Sequence, residues 1–116
     1  MKFTPSQSLL GEVEHLVLLA VLRLTPHQAY ANPIRELIYR DTGVRLFRGS
    51  VYVTLERLER KGYVESWFSA PTSERGGKAK RLFRVRPDGM AALRVSRKAL
   101  ERLAAGTVFA RAGEQP

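Results

Sequence analysis

The hydrophobic period of this chain changes twice, and few folds accommodate both changes. Up to Gly62 apolar residues recur at helical spacing; from Tyr63 to Arg86 they alternate; from Pro87 the helical spacing returns. From Leu9 to Leu24, the residues Leu9, Leu10, Val13, Leu16, Val17, Ala20, Val21 and Leu24 follow the i, i+3, i+4 rule. Leu18, Leu19 and Leu22 spill onto the other side, so this helix needs cover on more than one face. A chain of 116 residues has few elements to supply that cover, which points to a second subunit. Thr25-Pro26 ends the helix. A second helix is expected from Asn32-Pro33, with Asn32 as N-cap, a stripe of Ile34, Leu37 and Ile38, and a stop at Thr42-Gly43. Val44-Arg45-Leu46 suits a brief strand.

A third helix is expected over Gly49 to Lys61, with Val51, Leu55 and Leu58 on its core face. At 100° per residue its opposite face carries Gly49, Ser50, Val53, Arg57 and Arg60. Glu56 can pair with Arg60 at i+4. The alternating stretches Tyr63–Phe68 and Lys80–Arg86 flank a Gly-rich segment and read as a β-hairpin, with Arg81, Phe83 and Val85 on one face. A last helix is expected from Pro87-Asp88 to Ala104 or Ala105, with a seam of Leu93, Ser96, Leu100 and Leu103. That seam is too weak to stand alone and calls for a packing partner. The fold class is therefore mainly α with a small β-hairpin: a winged helix-turn-helix followed by a C-terminal dimerisation helix. Residues 1–8 form an N-terminal arm, 9–86 the winged-helix domain, 87–105 the dimerisation helix and 106–116 a flexible tail.

Charge points to the partner. The chain carries a formal net charge of +9, and residues 71–86 alone carry six basic side chains against Glu74. A basic surface of this kind meets a polyanion, most often nucleic acid. A third helix fits a major groove about 12 Å wide. A basic hairpin beside it reaches phosphates or the minor groove. There are no cysteines, which excludes disulfides, thiolate metal sites and a Cys nucleophile. His15 and His27 lack the spacing of a metal pair, and no nucleophile motif is visible, so neither an enzyme nor a cofactor is expected. No apolar run is long enough for a membrane span. The opening Met1-Lys2-Phe3-Thr4-Pro5-Ser6 carries no signal-peptide core, so the expected location is cytoplasmic.

The DNA-contacting set read from the residues is Arg35 on the second helix, Arg48 before the third, and Ser50, Val53, Thr54 and Arg57 upon it. Val53 suits a thymine methyl and Arg57 a phosphate or a guanine. The wing adds Arg75, Gly76, Gly77, Lys78, Lys80 and Arg81. Leu9, Leu10, Val13, Val17, Leu93, Ser96, Leu100 and Leu103 are the dimerisation candidates. Trp67, Phe68 and Phe83 suit hairpin packing more than a ligand pocket.

The stretch Leu10 to Leu22 resembles the first helix of PadR-type transcriptional regulators. So do Ala29-Tyr30, the segment Gly49 to Gly62, Glu74 to Arg81, and the return strand into Pro87-Asp88-Gly89. Ala31 stands where many relatives carry Gly, and the single helix after the hairpin resembles the short-form members. The resemblance implies a homodimeric winged-helix repressor of double-stranded DNA. Its third helix and wing would face the duplex, and a small-molecule effector could shift the dimer between DNA-competent spacings. It also implies that Tyr52 helps anchor the recognition helix. The competing reading is a winged helix that serves as a protein–protein interaction module. Such modules tend to lack a basic wing.

Overall fold

The computed structural model describes residues 9–70 and 78–109. Four helices and one hairpin follow in the expected order: α1 Glu12–Arg23, a 3₁₀ turn Pro26–Gln28, α2 Ala31–Thr42, α3 Arg48–Arg60, β1 Val64–Phe68, β2 Arg81–Val85 and α4 Pro87–Ala104. The core joins all of them. Val17 and Leu18 of α1, Ile34 of α2, and Val51, Leu55 and Leu58 of α3 are fully buried. Val64, Phe83 and Leu93 close it from the hairpin and α4. The three core residues assigned to α3 all face inward; truncating one, Leu55 to Ala, should cost about 2–5 kcal/mol.

Helix α1 begins later than its apolar spacing suggests. Gly11 is its extended N-cap, so Leu9 and Leu10 precede the helix. The Leu10 N–H donates to Ser96 Oγ at 2.9 Å, which ties this stretch to α4. Glu14, three residues past the cap, accepts from the Gly11 N–H at 2.8 Å, half of a capping box. Helix α2 begins at Ala31 with Tyr30 as N-cap, two residues before the expected Asn32 cap. Pro33 is accommodated in the first turn because N–H groups there have no intrahelical acceptor to lose. Gly43, at φ 75°, closes α2 as expected. Val44 to Leu46 form no strand; they make an extended link to α3.

The end of α3 sets the hairpin's direction. Gly62, at φ 80°, donates to the Glu59 carbonyl at 3.0 Å, and Tyr63 donates to the Leu58 carbonyl at 2.9 Å. These two bonds form a Schellman turn that sends the chain back along α3. Strands β1 and β2 pair antiparallel, Val64 with Val85, Ser66 with Phe83 and Phe68 with Arg81. Arg81, Phe83 and Val85 therefore share a face, as their alternation predicts. The Phe83 N–H donates to the Ala29 carbonyl at 2.9 Å and fastens β2 to the body. Helix α4 spans the residues expected of it.

Candidate nucleic-acid interface

The outer surface of α3 carries exposed Gly49, Ser50, Val53, Arg57 and Arg60, with Arg48 at its first turn. Val53 is 55% exposed, far from the buried Val51–Leu55–Leu58 stripe. Arg48, Arg57 and Arg60 have no salt-bridge partner among the described residues, so their charge is available to a polyanion. Thr54 departs from expectation. It is buried, and its hydroxyl donates to the Ser50 carbonyl one turn back at 2.7 Å. Residue 54 lies beside the core stripe, so this hydroxyl is spent within the helix and does not belong to the outer face.

A second cluster joins α3 to the base of the hairpin. Arg81 donates from Nη2 to Glu59 at 2.5 Å and from Nε to Ser66 Oγ at 3.2 Å. The Ser66 hydroxyl donates in turn to the other Glu59 oxygen at 2.7 Å. Glu56 lies 3.7 Å from Arg81 and does not pair with Arg60 as expected. The guanidinium also faces the rings of Tyr52 and Phe83, at 5.9 and 5.2 Å. Burial raises the Glu59 pKa, but the Ser66 and Arg81 hydrogen bonds outweigh it and hold the carboxyl below its usual value. Burial also works against the charge on Arg81, yet Tyr52 and Glu59 raise its pKa overall. Arg81 thus ties the base of the hairpin to α3 through Ser66 and Glu59. Tyr52, 36% exposed, sits between this tether and the outer face.

The described part of the wing supplies Lys78 and Lys80, both exposed. The Lys80 ammonium lies 4.8 Å from the Tyr30 ring. The Lys80 N–H donates to Ser69 Oγ at 2.9 Å, and the Ser69 N–H donates to the Lys80 carbonyl at 2.8 Å; together they extend the hairpin past its strands. Arg75, Gly76 and Gly77 lie outside the described residues, as do residues 1–8 and 110–116. Arg35 on α2 is half-buried, with its Nε unpartnered, beside a cleft of about 90 Å³ that it shares with Glu36, Tyr39, Arg45 and Leu46. Arg45 donates to the Tyr39 hydroxyl at 2.9 Å and covers that ring.

The dimerisation candidates divide. Val17, Leu93 and Ser96 are buried within the subunit and are removed from the set; Val17 and Leu93 are core, and Ser96 holds Leu10. Leu9, Leu100 and Leu103 are exposed, Leu103 by 82%, while Leu10 and Val13 are half-buried. An apolar groove of about 400 Å³ runs between α1 and α2, lined by Leu16, Leu19, Leu22, Leu37 and Ile38 among others. Phe83 packs in the core, and Trp67 joins it beside a shallow cleft of about 240 Å³; Phe68 points out, 69% exposed.

Sequence reasoning missed Phe47. It is the N-cap of α3, offers no side-chain cap and is 80% exposed. The signal was an aromatic residue where Ser, Thr, Asn or Asp usually caps a helix.

Helix α2, a turn, an amphipathic α3 and an antiparallel hairpin directly after it define a winged helix-turn-helix protein. No helix among the described residues is long and apolar enough to cross a membrane. The chain belongs to the transcriptional regulator PadR-like family, whose signature matches residues 18–95. Similar solved structures show the same fold. A PadR family transcription regulator from Clostridium difficile is 18% identical, at a TM-score of 0.67, over 81% of this chain and 95% of that one. A transcriptional regulator from Clostridium thermocellum is 20% identical, at 0.65, over 79% and 85%. A PadR family regulator from Eggerthella lenta is 22% identical, at 0.62, over 90% and 88%. No curated protein matches the chain.

Proposed function

We propose that this PadR-like regulator is a repressor that binds double-stranded DNA as a homodimer on a pseudo-palindromic operator. The observation that carries the reading is the outer face of α3, where Arg48, Arg57 and Arg60 stand without salt-bridge partners among the described residues around Val53. Arg48, Arg57, Lys78 and Lys80 neutralise phosphates or read bases; Ser50, Val53 and Tyr52 line the approach to the groove. Arg35 contacts the backbone from α2. The exposed leucines of α4 and the α1–α2 groove support the homodimer, because a monomer would leave both in water. The dimer sets its two α3 helices about one turn apart, ~34 Å. The proposed compartment is the cytoplasm, where the operator lies.

Fluorescence anisotropy tests this with the duplex upstream of the protein's own gene against a scrambled duplex. At about 150 mM salt non-specific binding is only ~10⁻⁴–10⁻⁶ M. Tight binding to the native duplex alone is expected. Where neither duplex binds tightly, a random-duplex selection follows, and failure to enrich any sequence would favour the protein-interaction module.

A further inference from the structure

We propose that the N-terminal half of α3 reads thymine 5-methyl groups through two apolar side chains, Phe47 at the helix cap and Val53 on the outer face. The inference rests on the DNA-binding reading above and deepens it to the chemistry of the base. Phe47 is 80% exposed and Val53 55% exposed, so neither is held in the core. Phe47 also does nothing for its own helix as a side chain, since a Ser or Asp there would accept from the first turn. Its ring is therefore available to an occupant from outside the subunit.

The surroundings identify that occupant. Arg45 and Arg48 flank Phe47 in sequence, and Arg57 and Arg60 follow Val53 on the outer face, all exposed. Glu56, the acidic residue of that region, is taken up by Arg81. An apolar pair ringed by guanidinium groups is poorly matched to an apolar protein face, which would strand those charges. It matches a major groove, where phosphate walls enclose a floor on which thymine alone presents a methyl group. The surface at Gly49 is open: a Cβ there would meet nothing within 4 Å. Six residues at 1.5 Å separate Phe47 from Val53 by about 9 Å along the helix. At about 3.4 Å per base step that is two to three steps. The half-site therefore carries two thymines at that separation.

The experiment selects a preferred duplex from a random library with the full chain, then replaces each thymine with uracil, which removes only the methyl. Binding is measured by anisotropy for the wild type, Phe47→Ser and Val53→Ser. At two thymines, two or three steps apart, the wild type should bind the uracil duplex about fourfold more weakly, the worth of one buried methyl. Phe47→Ser should abolish the preference at one of them and Val53→Ser at the other. Thermal unfolding keeps the fold in view: Phe47→Ser supplies a better cap, so its midpoint should equal or exceed that of the wild type. A selected duplex indifferent to every uracil exchange would overturn the proposal and leave DNA binding standing. Variants that keep the full preference would overturn it equally. Failure to select any sequence would instead remove the DNA-binding reading on which it rests.

Discussion

Replacing Gly89 with Ala should destabilise this protein, although Gly to Ala inside a helix normally gains about 1 kcal/mol. Gly89 lies in the first turn of α4, buried against the end of α3 and the hairpin. A Cβ there would fall 2.3 Å from the Tyr63 carbonyl oxygen and 2.9 Å from Val85 Cγ1. Carbon–oxygen contacts settle at about 3.3–3.6 Å, so α4 must retreat by about 1 Å. The carbonyl cannot yield instead. It accepts from the Arg86 N–H at 2.8 Å, and the Tyr63 N–H is fixed to Leu58 at 2.9 Å. Overpacking of this kind costs about 1–3 kcal/mol. Weakening the Arg86 bond adds about 1 kcal/mol. Against a gain of about 1 kcal/mol from the helix, the net loss is roughly 1–3 kcal/mol. The thermal midpoint, followed by circular dichroism at fixed protein concentration, should fall by about 4–8 °C for each kcal/mol. Gly49→Ala is the control of opposite sign, because its Cβ enters open space; its midpoint should not fall. A Gly89→Ala midpoint at or above the wild type would refute the close approach of α4 to Tyr63.

Glu14 is buried and bonded to Lys61 Nζ at 2.7 Å. Burial raises its pKa, but the Lys61 and Gly11 hydrogen bonds, with the charges of Lys61 and Arg57, bring it below its usual value. A depressed carboxylate stabilises the fold above its unfolded value near ~4.3, and that contribution fades as pH falls through the folded value. Lys61→Met should therefore move the acid-unfolding midpoint to higher pH; an unchanged midpoint in an acid titration would exclude the pair as a source of stability. Arg57→Ala should lower affinity for the selected duplex by about 1–3 kcal/mol if it holds a guanine, and equally for all duplexes if it holds a phosphate. Competition with random DNA separates the two. Leu103→Asp alters a side chain 82% exposed in the subunit, so folding should persist while sedimentation shows a monomer. A persisting dimer would place the interface elsewhere.

Local signals carried most of the fold. Val51, Leu55 and Leu58 face the core because three residues at i, i+4 and i+7 leave a helix no other choice of face. Gly43 and Gly62 end α2 and α3 because both adopt positive φ. What escaped the sequence depends on partners distant in the chain. Leu10 is drawn out of α1 by Ser96, 86 residues away, and Ser96 is thereby lost to the dimer seam. The partner of Arg81 is Glu59, 22 residues earlier, which holds it at the base of the hairpin. Thr54 sits a small angle from the core stripe, too close for helical spacing to assign a side. Of the proposed interface, the exposure of Ser50, Val53 and Arg57 was legible, while that of Phe47 was not, because no periodicity governs a residue before the helix starts.

The position of Arg81 bears on how the wing works. A wing that contacts DNA through flexible cations alone adds charge but fixes no geometry. Here Arg81 binds Ser66 on β1 and Glu59 on α3 at once, with Glu56 beside it, so the base of the hairpin is cross-linked to α3. Lysine keeps the charge but lacks the planar fork that reaches several acceptors. If Arg81 acts as this tether, Arg81→Lys should lose nearly as much affinity for the selected duplex as Arg81→Ala. Charge-assisted hydrogen bonds reach about 1.5–3 kcal/mol, and partial exposure reduces that to roughly 1 kcal/mol of alignment here. The salt dependence of binding should match the wild type in both variants, since no phosphate contact is removed. If Arg81 touched phosphate instead, Arg81→Lys would bind like the wild type, and Arg81→Ala would lower the salt slope by about one. Anisotropy across a salt series separates these outcomes, and the second would make Arg81 a phosphate contact.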